Sequence, residues 1–135
     1  MRSILADTGP LVALFKQEDL HHKAAVRWAN ANRVRLLTTW PVVTEACHFI
    51  TLSGRRGLFQ LIERGGLTVA DIGIADLSGC IEIMTKYSDR SVDLADASLV
   101  LLAERSGNNE IITIDRTDFS VYRLGRDRHF DILFP

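Results

Sequence analysis

Ile4-Leu5-Ala6-Asp7-Thr8-Gly9-Pro10-Leu11 joins a short apolar run to a helix start through a single carboxylate. Ser3 to Ala6 reads as a short buried strand that stops at a carboxylate, Asp7. Thr8 and Gly9 are expected to make the bend. Pro10 suits a first helical position, where its fixed φ is helical and its missing N–H removes no hydrogen bond. A strand that ends in an acid and turns at once into a helix opens a strand–helix–strand unit.

The rest of the chain continues the alternation. Helical spacing is expected for Pro10 to Lys16 and for His21 to Ala31, the latter with Trp28 on its inner side. Arg35 to Thr38 is a second strand, and Thr39-Trp40-Pro41 places a hydroxyl just ahead of a helix-starting proline. One helix is predicted over 41–52, with Val42, Val43, Ala46, Phe49, Ile50 and Leu52 in a broad apolar stripe. Glu45 falls inside that stripe, whereas Thr44, His48 and Thr51 take the polar side. Gly54-Arg55-Arg56-Gly57 leads to a further helix stopped by Gly65-Gly66. Leu67 to Ala70 is a third strand. Ile74 to Tyr87 carries Ile74, Leu77, Ile81 and Met84 at amphipathic spacing. Asp93 to Ser106 is apolar nearly all round, as a central helix would be. Glu110 to Thr113 is a fourth strand running into Asp115 and Asp118, and Phe130 to Leu133 a fifth at an edge. The predicted class is α/β, a three-layer α/β/α sandwich around a mostly parallel sheet, as one domain over 1–135. Right-handed crossovers bring the C-terminal ends of such strands to one edge, where ligands bind.

Composition narrows the function less. The chain has 135 residues, 47% hydrophobic and 24% charged, with a net charge of −1, so no overall basic character announces nucleic acid. Setting six acids aside in one pocket leaves the remainder at +5, a basic rim around an acidic centre. Cys47 and Cys80 are too few and too far apart for a disulfide scaffold. Asp7 interrupts the amino-terminal segment before a secretory core develops, and no stretch is long and apolar enough for a membrane span, so a cytoplasmic protein is expected.

The informative residues are acids where apolar segments would hold them still: Asp7, Glu45, Asp96 and Asp115, with Asp93 and Asp118 beside them. An inward acid costs several kcal/mol unless paired or ligating. Two carboxylates ~5 Å apart repel by roughly 3 kcal/mol at an effective dielectric of ~20. Four together need a cation or strongly raised pKa values. Oxygen-only ligands select Mg²⁺ or Mn²⁺, which orients water and balances charge on a phosphoryl centre. The implied chemistry is phosphodiester hydrolysis.

The segments Asp7-Thr8-Gly9-Pro10-Leu11-Val12-Ala13-Leu14-Phe15, Glu45, Leu94-Ala95-Asp96-Ala97-Ser98-Leu99-Val100 and Thr113-Ile114-Asp115-Arg116-Thr117-Asp118-Phe119 together resemble the PIN domain, in particular the VapC-type toxins of toxin–antitoxin pairs. The acids occur in order at separations of 38, 51 and 19 residues. The resemblance implies a Mg²⁺- or Mn²⁺-dependent endoribonuclease, a homodimer, and a protein antitoxin whose tail enters the site. By position it makes Asp7 and Asp96 the metal ligands, with Glu45 and Asp115 completing the catalytic set. Asp93 matches a position that is often acidic, and Thr113 the hydroxyl that supports the fourth acid.

Plainer readings stand beside these. Asp93 with Asp96 also looks like a helix cap and its third residue, and Asp118 like a turn residue. Glu45-x-x-His48, repeated as Glu18-x-x-His21, has di-iron spacing. Arg55, Arg56, Arg64, Arg116, Arg123, Arg126 and Arg128 could grip RNA phosphates or be solvated, and Trp40 could stack on a base or pack. The alternative to the nuclease is a non-catalytic PIN-fold protein that binds RNA or regulates. A phospho-acceptor receiver domain would need a second acid beside Asp7 and a late lysine, and the last lysine is Lys86.

Overall fold

A computed structural model describes residues 2–134. Five parallel strands form the sheet: β1 (Ser3–Ala6), β2 (Arg35–Thr39), β3 (Leu67–Ala70), β4 (Glu110–Ile112) and β7 (Asp131–Ile132), in the order β3-β2-β1-β4-β7. Ile4, Leu5 and Ala6 are consecutive and all buried, as are Ile111 and Ile112. A strand buried on both faces must have helices on both, which is the parallel α/β architecture. Winding proceeds from β1 outward through β2 and β3, then returns to β4 beside β1 and continues to β7. The direction therefore reverses between β1 and β4, and the crevice at that reversal is where open α/β sheets bind ligands.

The helices are α1 (Thr8–Phe15), α2 (His22–Ala31), α3 (Trp40–Phe49), α4 (Leu52–Glu63), α5 (Leu77–Lys86), α6 (Leu94–Ser106) and α7 (Arg116–Phe119). Two short strands, β5 (Arg123–Leu124) and β6 (Arg128–His129), make an antiparallel hairpin before β7 that the sequence pattern does not reveal. The core runs from β1 and β4 to α6 and the aromatic pair Phe119 and Tyr122. α6 ends at Gly107, whose φ of 72° is the left-handed conformation that glycine supplies without strain.

Several predicted boundaries shift, each for a local reason. Thr8 and Gly9 are not a bend: α1 starts directly after Asp7, and Pro10 sits inside its first turn. Gly9 is needed for space instead, since a Cβ there would lie 3.0 Å from the Ile114 side chain. Thr39 belongs to β2, and its hydroxyl pairs with Ser98 Oγ at 2.6 Å rather than capping α3. The predicted helix over 41–52 is two. Ile50 is extended, Thr51 accepts from Gly54 N–H to cap α4, and Phe49 and Leu52 are exposed rather than part of an inner stripe. Gly54 and Gly57 lie within α4, where they let it approach the end of α1; a Cβ on Gly54 would meet Phe15 O at 2.6 Å. The segment 74–87 begins as a 3-10 turn, Ile74–Asp76, before α5. It buries Cys80, Ile83 and Tyr87 and packs Met84 against the core, while Ile74, Leu77 and Ile81 of the same amphipathic spacing face outward.

Candidate metal centre

The reversal point brings all six candidate acids together. A cleft of about 470 Å³ is lined by Asp7, Glu45, Asp93, Asp96, Asp115 and Asp118. Four separate elements supply them: the end of β1, the second turn of α3, the start of α6 and the turn after β4.

Asp7 is held hardest. Its backbone N–H extends the sheet ladder to Ile112 O at 3.0 Å, which fixes the residue as the strand ends. The side chain is buried and accepts a hydrogen bond from Thr113 Oγ1 at 2.8 Å. Thr113 in turn accepts from Asp115 N–H at 3.0 Å, so one buried hydroxyl aligns the first acid and the backbone of the fourth. Asp96 stands in the first turn of α6. Its N–H donates to Asp93 Oδ1 at 2.8 Å, so Asp93 caps that helix, while Asp96 Oδ2 accepts from Tyr122 Oη–H at 2.9 Å. Asp115 caps α7 by accepting from Asp118 N–H at 3.0 Å. Asp118 accepts from Arg90 at 2.7 Å. Glu45 is half-buried on α3, close enough to Asp93 to feel its charge.

This crowding disturbs ionisation. Burial pushes the Asp7 carboxyl up to about 6, partly opposed by the Thr113 hydrogen bond and helped by the charges of Glu45 and Asp115. Asp96 is pushed up to about 7, first by burial and then by the charge of Asp7, against the Tyr122 hydrogen bond. Burial also raises Glu45 and Asp115, with Asp93 adding to the first and Asp118 to the second. Carboxyl groups held above their ordinary range by burial and by one another are what a cation-binding cleft is expected to show. One carboxylate oxygen from each of Asp96, Asp115 and Asp118 lies within 4.8 Å of the others. Oxygen-only donors in that proximity fit a hard divalent cation such as Mg²⁺ or Mn²⁺. That trio contains no histidine, and His48 is exposed, which removes the support for di-iron spacing.

Three site residues escape the sequence reading. Tyr122 is fully buried and packs edge-on against Tyr87 and Phe119, both at 5.1 Å between ring centres, so its hydroxyl is aimed rigidly at Asp96. Arg90 neutralises Asp118 from the loop before α6. Thr8, beside Asp7, lines the cleft. Tyr122 and Arg90 show no spacing signal, because each meets its carboxylate only through the fold. Trp40 heads α3, is 48% exposed, and lines a neighbouring hollow with Glu45 and Asp93.

Comparison with known proteins agrees with this architecture. The PIN domain family model matches residues 4–124. Ribonuclease VapC26 of Mycobacterium tuberculosis (strain ATCC 25618 / H37Rv) is 27% identical over 124 residues, covering 89% of this chain and 92% of its own. The crystal structure of Mycobacterium tuberculosis VapC20, described as a sarcin-ricin loop cleaving toxin, superposes with a TM-score of 0.68 at 17% identity. That superposition covers 80% of this chain and 86% of VapC20. With a family match across most of its length and the acids gathered at the sheet's reversal point, the chain belongs to the PIN domain family.

Proposed function

We propose that this protein is a divalent-metal-dependent endoribonuclease, the toxin half of a toxin–antitoxin pair of the VapC type, acting in the cytoplasm. The observation that carries the reading is the convergence of carboxylates from four elements at the β1/β4 reversal, with Asp7 and Asp96 held above the usual carboxylate range. The likeness to the ribonuclease VapC26 supports it.

Asp7 and Asp96 hold the ion, Mg²⁺ or Mn²⁺, and Asp115 contributes from the turn after β4. A bound cation supplies the charge that lets these acids ionise together and the Lewis acidity that phosphodiester hydrolysis needs. Thr113 and Tyr122 fix the carboxylates against rotation. Glu45 takes the proton of the attacking water. Asp93 supports the site as the cap of α6, and Asp118, paired with Arg90, places an oxygen beside those of Asp96 and Asp115 where the same ion can take it. Arginines outside the cleft balance the RNA phosphates that the acids would repel.

Two partners follow. A protein antitoxin closes the open acidic cleft, for which a basic tail is the complementary chemistry. A second copy of the chain covers the outward stripe of Ile74, Leu77 and Ile81, all more than half exposed.

The test is cleavage of a structured RNA. Hydrolysis that requires Mg²⁺ or Mn²⁺, stops with chelator and is abolished by Asp7→Asn supports the proposal. Unchanged activity in Asp7→Asn removes the mechanism. RNA binding without turnover under any divalent ion would leave the non-catalytic alternative. For the dimer, Leu77→Glu should give a monomer by light scattering, and a wild type that is already monomeric at micromolar concentration sinks that part.

A further inference from the structure

We propose that Trp40 is the wall of a base subsite, its indole stacking on a nucleobase of the RNA next to the phosphate that is cut; this deepens the nuclease reading and rests on it.

A second hollow, of about 550 Å³, opens beside the metal cleft. Trp40, Pro41, Ile72 and Leu94 give it carbon walls, while Glu45 and Asp93 line both the hollow and the cleft. The two spaces therefore meet at those carboxylates. Trp40 is 48% exposed and Leu94 43%, so two large apolar side chains face water at one place. A single exposed apolar residue needs no explanation, but a wall of them against a reactive centre points to something that covers it.

The helix sets the spacing. Thr39 ends β2 buried, and Trp40 then opens α3 as its first residue. Glu45 follows five positions later, about 7.5 Å along the helix axis. The sugar and phosphate of one nucleotide span such a step, so a phosphate at the ion places a neighbouring base at the indole. Thr44 and His48 lie four and eight positions after Trp40 on the same ridge, are exposed, and line the hollow where they can meet the edge of that base.

Charge decides what fits. Among the described residues no lysine or arginine lines the hollow, and two carboxylates do, so a phosphate would be repelled there. A nucleobase is flat and uncharged and offers a π-face to the indole whatever its sequence. A second copy of the chain packed into the hollow would instead withdraw Glu45 and Asp93 from water, which is costly unless cations face them. A base stacked on Trp40 has left the stack of its own strand, so the nucleotide beside the cut must be unpaired.

The probe is an RNA hairpin with a randomised loop, its cut position read by sequencing the products. The cut hairpin is then made with an abasic ribose at each loop position in turn, which keeps the backbone and removes the base. At one position beside the cut, wild type should lose about 5–100-fold in kcat/KM, the effect of one lost base–aromatic stack. Trp40→Leu should lose as much on the intact hairpin, and less than about 3-fold more at that abasic position, because base and indole act as a pair. Trp40→Phe and Trp40→Tyr keep an aromatic face and should stay within about 5-fold of wild type. Fluorescence gives a readout without turnover. Titrating the hairpin with Mg²⁺ into Glu45→Gln protein should quench indole emission, and adding Trp40→Leu should abolish the quench although Trp28, packed against the core, remains.

Trp40→Leu with wild-type kcat/KM, or one as sensitive to the abasic ribose as wild type, overturns the inference and leaves the nuclease reading standing. So does a wild type indifferent to an abasic ribose at every position. A Trp40→Leu protein that is monomeric by light scattering where wild type is a dimer makes Trp40 an interface residue and also overturns the inference. A wild type with no divalent-dependent hydrolysis overturns both readings. If leucine prevents folding, Trp40→Gln removes the same aromatic face and is read by the same criteria.

Discussion

Asp7→Asn should make the metal-free protein more stable at pH 8 while abolishing its activity. Asp7 titrates near 6 in the folded chain, raised chiefly by burial from an ordinary value of 3.8. Between those values the folded chain holds a proton that the unfolded chain has released. Stability therefore falls as pH rises from about 4 to about 6 and stays low above that window. The rise from 3.8 to about 6 corresponds to at most about 3 kcal/mol. Asparagine is isosteric and neutral, and its carbonyl can still accept from Thr113.

In chelator at pH 8 the variant should gain about 2–3 kcal/mol, or about 5–10 °C in melting temperature for a chain of this size. At pH 4 the advantage should shrink to below about 1 kcal/mol, and it should vanish below the ordinary value of 3.8, where folded and unfolded chains both hold the proton. Adding Mg²⁺ at pH 8 should reverse the order, since stabilisation by a ligand follows its affinity for the folded state and asparagine is the poorer ligand. Thermal melts at the two pH values, with and without Mg²⁺, provide the measurement. If Asp7→Asn is less stable than wild type at pH 8 in chelator, or the difference does not shrink toward pH 4, the reasoning about a desolvated carboxylate in an electrostatically frustrated cleft is refuted.

Three further outcomes are expected. Tyr122→Phe removes the hydrogen bond that favours ionised Asp96 and should weaken Mn²⁺ binding about 3–10-fold by calorimetry, with the fold intact because the rings still pack; an unchanged isotherm would deny Tyr122 any role at the carboxylate. Arg90→Gln removes the cation paired with Asp118 and should tighten Mn²⁺ binding about 2–5-fold at low salt, an advantage that salt erodes; weaker binding would mean that Arg90 organises the cleft instead of neutralising it. Gly54→Ala, with its Cβ forced toward Phe15 O, should cost about 1–3 kcal/mol in urea unfolding, and a neutral result would show that α4 can shift away from α1.

The local facts were legible in the sequence: an acid after the first apolar run, an acid within the apolar pattern before His48, two acids at the head of a helix apolar all round, and two more after the last core strand. Short, continuously apolar runs alternating with segments of helical period gave the fold class away, because a strand buried on both faces needs helices on both. Periodicity did not give direction for the segment 74–87. The regular stripe of Ile74, Leu77 and Ile81 is real but faces outward, since spacing shows that a helix has two faces and not which one meets the core. The break at Ile50 was equally invisible, being set by how closely α4 must lie against Phe15.

Residue order alone shows which groups carry charge, which segments must be buried, and that a parallel sheet would collect strand ends at one edge. The tertiary structure decided which groups touch: Tyr122 on Asp96, Arg90 on Asp118, and Thr113 spanning Asp7 and Asp115. The physical reason is range. Propensity and hydrophobic period act over one or two turns of chain, whereas a hydrogen bond and a raised pKa depend on ångström distances between residues tens of positions apart, and those distances exist only after the core has packed.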